Sequence, residues 1–170
     1  VLESLADEAA ATDTPPVVTV ADPTALAMAQ DVLRRAYAHQ GNEAGYKGRM
    51  VRYIAASPLP YAAGAMEVLS NEEISANVMA GVFGSESAFI AEAGSRQGLV
   101  QVAGAADIAP LAVLCPSVNH LLIGEELFAA GGYMGEQPAR IGSLRAQDWI
   151  RLLVIAAIFI GLLVRLMTSF

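Results

Sequence analysis

The sequence predicts an α/β fold with a mostly parallel sheet and flanking helices (Rossmann-like), followed by one C-terminal transmembrane helix. Three observations predict it. Between residues 17 and 139, short β-branched or apolar runs alternate with helical patterns, the mark of parallel βαβ units. Glycine and proline punctuate the junctions between those runs. From Leu152 to Val164, 13 consecutive residues carry no charge and no strongly polar group.

The elements follow in order. Residues 1–16 are acidic, rich in alanine and end in Pro15-Pro16, which suits an acidic linker or the end of an upstream segment. A start at Val1 fits a processed product or a piece of a longer chain. Glu3, Asp7 and Glu8 interrupt any apolar run that would make a signal peptide. The α/β domain is expected over 17–139. Val17–Val20 is a β-branched run suited to a buried strand. Asp22-Pro23 starts a helix through His39, with Leu26, Ala29, Leu33 and Tyr37 at helical spacing. Met50–Ala55, Ala76–Val82 and Leu99–Ala103 read as further strands, with a last one at His120–Ile123. The helices between them are expected at Tyr61–Leu69, at Glu86–Ala93 with Gly94 as the stop, and at Ile108–Leu114 before Pro116. A final helix is expected from Glu125 to Tyr133.

The 149–167 segment is expected to span a bilayer. Nineteen helical residues measure about 28 Å, close to the ~30 Å hydrocarbon core. Trp149 stands where an interfacial aromatic belongs. Arg151 and Arg165 sit near the two ends, with stems able to lie in the apolar layer while their heads reach water. A buried core helix is the alternative, and it seldom runs so far without a polar face. Arg140, Arg145 and Arg151 precede the span and only Arg165 follows it. The positive side stays cytoplasmic, so the α/β domain is expected in the cytoplasm and the tail 168–170 outside.

Charge is divided unevenly. The net charge is −7, yet residues 1–139 alone carry −10 and residues 140–170 carry +3. The acidic domain would be repelled by a phosphate backbone, so nucleic acid is not an expected partner. The basic juxtamembrane segment 140–148 suits lipid headgroups. Cys115 is the only cysteine, which excludes an intrachain disulfide and a cysteine zinc cluster.

Four groups of residues invite a chemical reading. Gly81–Ser87 joins a strand to a helix, the place where backbone N–H groups meet anions. Gly84 permits close approach, and Ser85 and Ser87 add donors. The Gly-Lys-Ser/Thr ending of a P-loop is missing, and Glu86 would repel phosphate. An ordinary turn with Ser85 as N-cap explains the same residues. Glu125-Glu126 diverge by about 100° on a helix, so they suit the helix dipole better than shared acid/base work; Glu86 and Glu92 diverge likewise. Cys115 and His120 could form a thiolate–imidazole pair, against the simpler reading of a buried structural cysteine. His39 is favourable near a helix C-terminus. Two histidines without carboxylate spacing predict no metal site, and no cofactor or catalytic residue is indicated. If the strands form one sheet, Asp22, Ser57, Gly84, Ser85, Ser87 and Gly104 gather at their carboxyl ends, the place for any ligand.

Several runs carry a resemblance: Ala62-Ala63-Gly64-Ala65-Met66-Glu67, Gly84–Ser87 with Ala91–Gly94, Leu122–Ala130, and Gly142–Asp148. Over residues 17–165 the chain resembles a prokaryotic family of membrane-anchored α/β proteins, a domain of unknown function. The resemblance implies an architecture with possible upstream helices and supplies no activity. The expected role is a membrane-anchored structural or accessory subunit, partnered by the bilayer and by other membrane subunits or further copies of itself. A ligand- or nucleotide-sensing domain is the second reading, and an enzyme with its site at the strand ends the third.

Overall fold

The computed structural model describes residues 1–12, 14–124, 126, 152–155 and 158. The chain divides into two units, Val1–Gly131 and Gly132–Phe170.

The first unit opens with helix α1 (Leu2–Thr12), formed by the segment read from sequence as a linker or the end of an upstream segment. Alanine has the highest helix propensity. Leu2, Ala6 and Ala10 recur every four residues and so share one face. Ala6 and Ala10 are buried against Ala29, Leu33, Ala36 and Tyr37 of α2 (Pro23–His39). The small alanines let the two helices approach closely. Between them lies β1 (Val18–Val20). Two 3-10 turns, Glu43–Gly45 and Gly48–Met50, lead to β2 (Val51–Tyr53), which pairs in parallel with β1.

Helix α3 (Pro58–Asn71) carries the chain to β3 (Ala76–Gly81). Then follow α4 (Ser87–Arg96), β4 (Val100–Ala105), α5 (Ile108–Leu114) and β5 (His120–Leu122). β3, β4 and β5 lie side by side in sequence order, all parallel, with Gly81 opposite Ala105 and Gly104 opposite Leu122. Their inward side chains, Met79 and Ala103, form a core with Ala62, Ala65 and Leu69 of α3, Ile90 and Ala91 of α4, and Leu114 of α5.

The expected mixed α/β architecture with parallel strands and flanking helices is present. Its strands form two sheets, however, where one was expected. The reason lies at the free edge of β1. Ile54 N donates to Val20 O at 3.1 Å, so the Val20 carbonyl faces β2 and that of Thr19 faces the other way. The Tyr61 hydroxyl of α3 donates to this Thr19 carbonyl at 3.3 Å and lies 2.9 Å from Thr19 Oγ1. A helix side chain thus satisfies the backbone group that a further strand would have used.

Gly94 does not end α4. It lies buried within the helix, which stops at Gly98, whose φ of +70° is open to glycine. Gly98 N bonds to Ser95 O at 3.0 Å and Leu99 N to Gly94 O at 3.1 Å, a Schellman closure. Gly94 is required for another reason: a Cβ there would overlap the side-chain amide of Gln101.

Of the second unit, Leu152–Ile155 and Ile158 are helical, and their side chains are 52–65% exposed. Among the described residues no helix is long and apolar enough to cross a membrane. The expected span 149–167, with Trp149, Arg151 and Arg165, lies mostly outside the described residues, as does most of the expected helix 125–133.

Candidate functional site

The turn after β3 was the best candidate for binding an anion, and its Gly84 amide and Ser87 donors are already engaged. The Glu86 carboxylate accepts from Gly84 N at 2.7 Å. Ser87 is buried, and its hydroxyl donates to Gly84 O at 2.7 Å, while Ser87 N bonds to the same carbonyl at 3.3 Å. A carboxylate of the chain itself therefore stands where an external anion would have to sit. Glu86, not Ser85, occupies the N-cap position, and Ser85 is exposed.

Asp22 follows β1 and caps α2. Its Oδ1 accepts from Thr24 N at 2.6 Å and Ala25 N at 3.2 Å, and from the Thr24 hydroxyl. The Thr24 hydroxyl, and then the two backbone N–H groups, hold its carboxyl below the ordinary value. These bonds make it a structural cap. Ser57 is exposed at the N-cap position of α3 and makes no side-chain capping bond. Asp22 and Ser57 close the carboxyl ends of one sheet; Gly84, Ser85 and Ser87 lie beyond β3 of the other. Gly104 does not follow its strand. β4 runs on to Ala105, and Gly104 is buried between Ala80 and Leu122. It takes part in sheet packing and is closed to a ligand.

Cys115 is exposed, contrary to the buried reading, because it caps α5 just beyond the buried Leu114. His120 is also exposed, at the start of β5. Glu126 accepts from Ile123 N at 3.1 Å, half of a capping box. Among the described residues no cluster of three or more His, Cys, Asp or Glu side chains could hold a metal. A depression of about 370 Å³ lies away from the strand ends, against Arg34, Arg35 and Ala38 of α2, with Glu43 and Tyr46. Its two arginines already face Asp31.

The most elaborate polar arrangement surrounds a residue that the sequence reading passed over. Gln101, fully buried in β4, donates through Nε2 to Ala91 O and Ser117 O, each at 2.8 Å, and accepts at Oε1 from Asn77 Nδ2 at 3.0 Å. Two carbonyls on one side and an amide donor on the other fix the orientation of its amide. Its backbone N donates to Asn119 Oδ1 at 2.7 Å, and its carbonyl accepts from Asn119 N at 3.0 Å. β3, β4, α4 and the approach to β5 are thereby fastened at one point. With every polar atom engaged, Gln101 is a structural hub and offers nothing to a ligand. A polar residue within the apolar run Leu99–Ala103 was the signal available in the sequence.

A family model described as Domain of unknown function (DUF6754) matches residues 1–170. The chain belongs to that family. The family resemblance read from sequence is borne out; membrane anchoring and a prokaryotic origin do not follow from the match. No curated protein and no solved structure matches the chain.

Proposed function

We propose that this chain is a membrane-anchored structural or accessory subunit that presents an α/β domain at the membrane surface, in a larger or homo-oligomeric assembly. The observation that carries the proposal is the apolar run 152–164, bracketed by Arg151 and Arg165. Where this run is described, at Leu152–Ile155 and Ile158, its large aliphatic side chains are more than half exposed. Exposed apolar surface is unfavourable by roughly 25 cal/mol per Å² in water, and a bilayer removes that cost. A Rossmann-like winding of the domain belongs to the same reading. β3–α4–β4–α5–β5 advances one strand at a time, each parallel pair joined by a helix, as in βαβ units.

The strand ends favour a structural role over catalysis or ligand sensing. Asp22 caps α2, Ser87 bonds within its own turn, and Glu86 already occupies the Gly84 amide. The test is deletion of 149–170 followed by vesicle flotation. The full chain should float with lipid and the shortened chain, folded by circular dichroism, should remain at the bottom. A folded, unaggregated shortened chain that still floats would overturn the anchor reading.

A further inference from the structure

Nine large hydrophobic side chains between Val1 and Glu126 are exposed, and five of them converge on one edge of the β3–β4–β5 unit. Val82 follows β3, Ile108 opens α5 after β4, and Ile123 follows β5; they are 80%, 84% and 58% exposed. The register places the three strand ends side by side, about 4.8 Å apart per strand. Phe89, in the first turn of α4, and Leu59, in the first turn of α3, are 54% and 64% exposed. The carboxyl ends of α3 and α4 meet at Ser70 and Gln97, 3.4 Å apart. The packed helices therefore share a direction, and their first turns share the carboxyl edge of the sheet.

The opposite edge has another character. Asn71, Glu73, Ser75, Gln97 and Asn119 are exposed there, with Val100 the one large apolar exception. The unit is thus polarised along its strands. The apolar end is a row of projecting side chains around turns in which Glu86 and Ser87 bond internally. Projecting aliphatic and aromatic groups suit insertion into a soft apolar phase.

We infer that the carboxyl edge of β3–β4–β5, through Val82, Ile108 and Ile123, rests in the headgroup region of the bilayer in which the chain is anchored. The inference rests on reading 149–167 as the membrane segment. One observation favours lipid as the occupant. The described chain leaves β5 at this same edge, at Gly124, and the sequence beyond it runs to the 13-residue apolar stretch. The charged groups described at the edge, Asp107, Glu126 and the engaged Glu86, are all acidic. Anionic headgroups would repel these carboxylates, so the contact is made by the apolar side chains and needs no anionic lipid. Interfacial burial of this kind reaches roughly 5–10 Å into the headgroup and acyl boundary.

The full chain is used, with Cys115→Ser removing its one thiol. Single cysteines are introduced as Val82→Cys, Ile108→Cys or Ile123→Cys, and as Glu73→Cys or Ser95→Cys on the polar edge. Ser95 and Ile108 lie in helices, Val82 and Ile123 directly follow strands and Glu73 lies in the loop before β3, and all are exposed, so a common circular dichroism spectrum is expected. Each is labelled with an environment-sensitive fluorophore, reconstituted in phosphatidylcholine vesicles and recovered by flotation. Nitroxide lipid should quench labels at 82, 108 and 123 and leave those at 73 and 95 bright, with no change on adding salt. Equal brightness at all five positions in floated chains overturns the inference and leaves the anchor reading intact. A chain that does not float overturns both. Quenching that occurs in detergent without nitroxide lipid, and grows with protein concentration, assigns the edge to a second copy and also overturns the inference.

Discussion

Gln101 shows what a single buried polar residue does in a core built from small side chains. Its amide closes three hydrogen bonds to three different segments. Replacing it with leucine leaves the Ser117 carbonyl and the Asn77 amide donor unpaired, each costing about 1–3 kcal/mol, while Ala91 O keeps its helical partner within α4. Gln101→Leu should lower unfolding stability by about 3–5 kcal/mol, read from urea denaturation. Gly94 supplies a sharper test, because its missing Cβ is filled by this same amide. Gly94→Ala alone should cost about 1–3 kcal/mol through overpacking. In a Gln101→Ala background the obstruction is gone, and alanine's helix propensity should stabilise by up to about 1 kcal/mol. Additive effects of the two substitutions would sink this account. The sequence could not announce the pairing. Gly94 reads locally as a helix stop, and only the approach of β4 reveals that the glycine makes room for a side chain seven residues on.

At the scale of elements, the alternation of strand and helix was legible, and α5 was read to the residue at Ile108–Leu114. Periodicity and β-branched runs carry that information locally. What was not legible depends on long-range partners. Whether β1 takes a further strand depends on the Tyr61 hydroxyl, 42 residues away in sequence. Whether Gly84 binds an anion depends on where Glu86 turns, and the turn delivers its carboxylate to the amide. α1 is a case of its own, since an Ala-rich acidic stretch reads equally as linker or helix until its partner face on α2 is seen. Because Ala6 and Ala10 are buried at contact with α2, Ala6→Leu should destabilise by about 1–3 kcal/mol through overpacking. Ala11→Leu, on the exposed side, should stay within about 0.5 kcal/mol. Both are read as shifts in the urea midpoint. Equal, near-zero shifts would mean that α1 does not contribute to the fold in solution.

For the whole molecule, the informative asymmetry is electrostatic. An acidic domain of charge −10 precedes a C-terminal segment of charge +3. Three of that segment's four arginines lie before or at the start of the apolar run. Arginine near a membrane segment is retained on the cytoplasmic side, whereas acidic residues contribute little to orientation. The domain's negative charge therefore does not oppose the orientation that the arginines set. Cys115 provides the reporter. It is the one thiol in the chain, it is exposed, and it sits in the α/β domain. Intact cells expressing the unaltered chain are treated with a membrane-impermeant thiol reagent, and a second sample is permeabilised first. Labelling is expected only after permeabilisation, which places the domain in the cytoplasm. Labelling in intact cells would reverse the orientation: the carboxyl edge of β3–β4–β5 would then face the outer leaflet, and the arginine excess would have been too small to decide the topology.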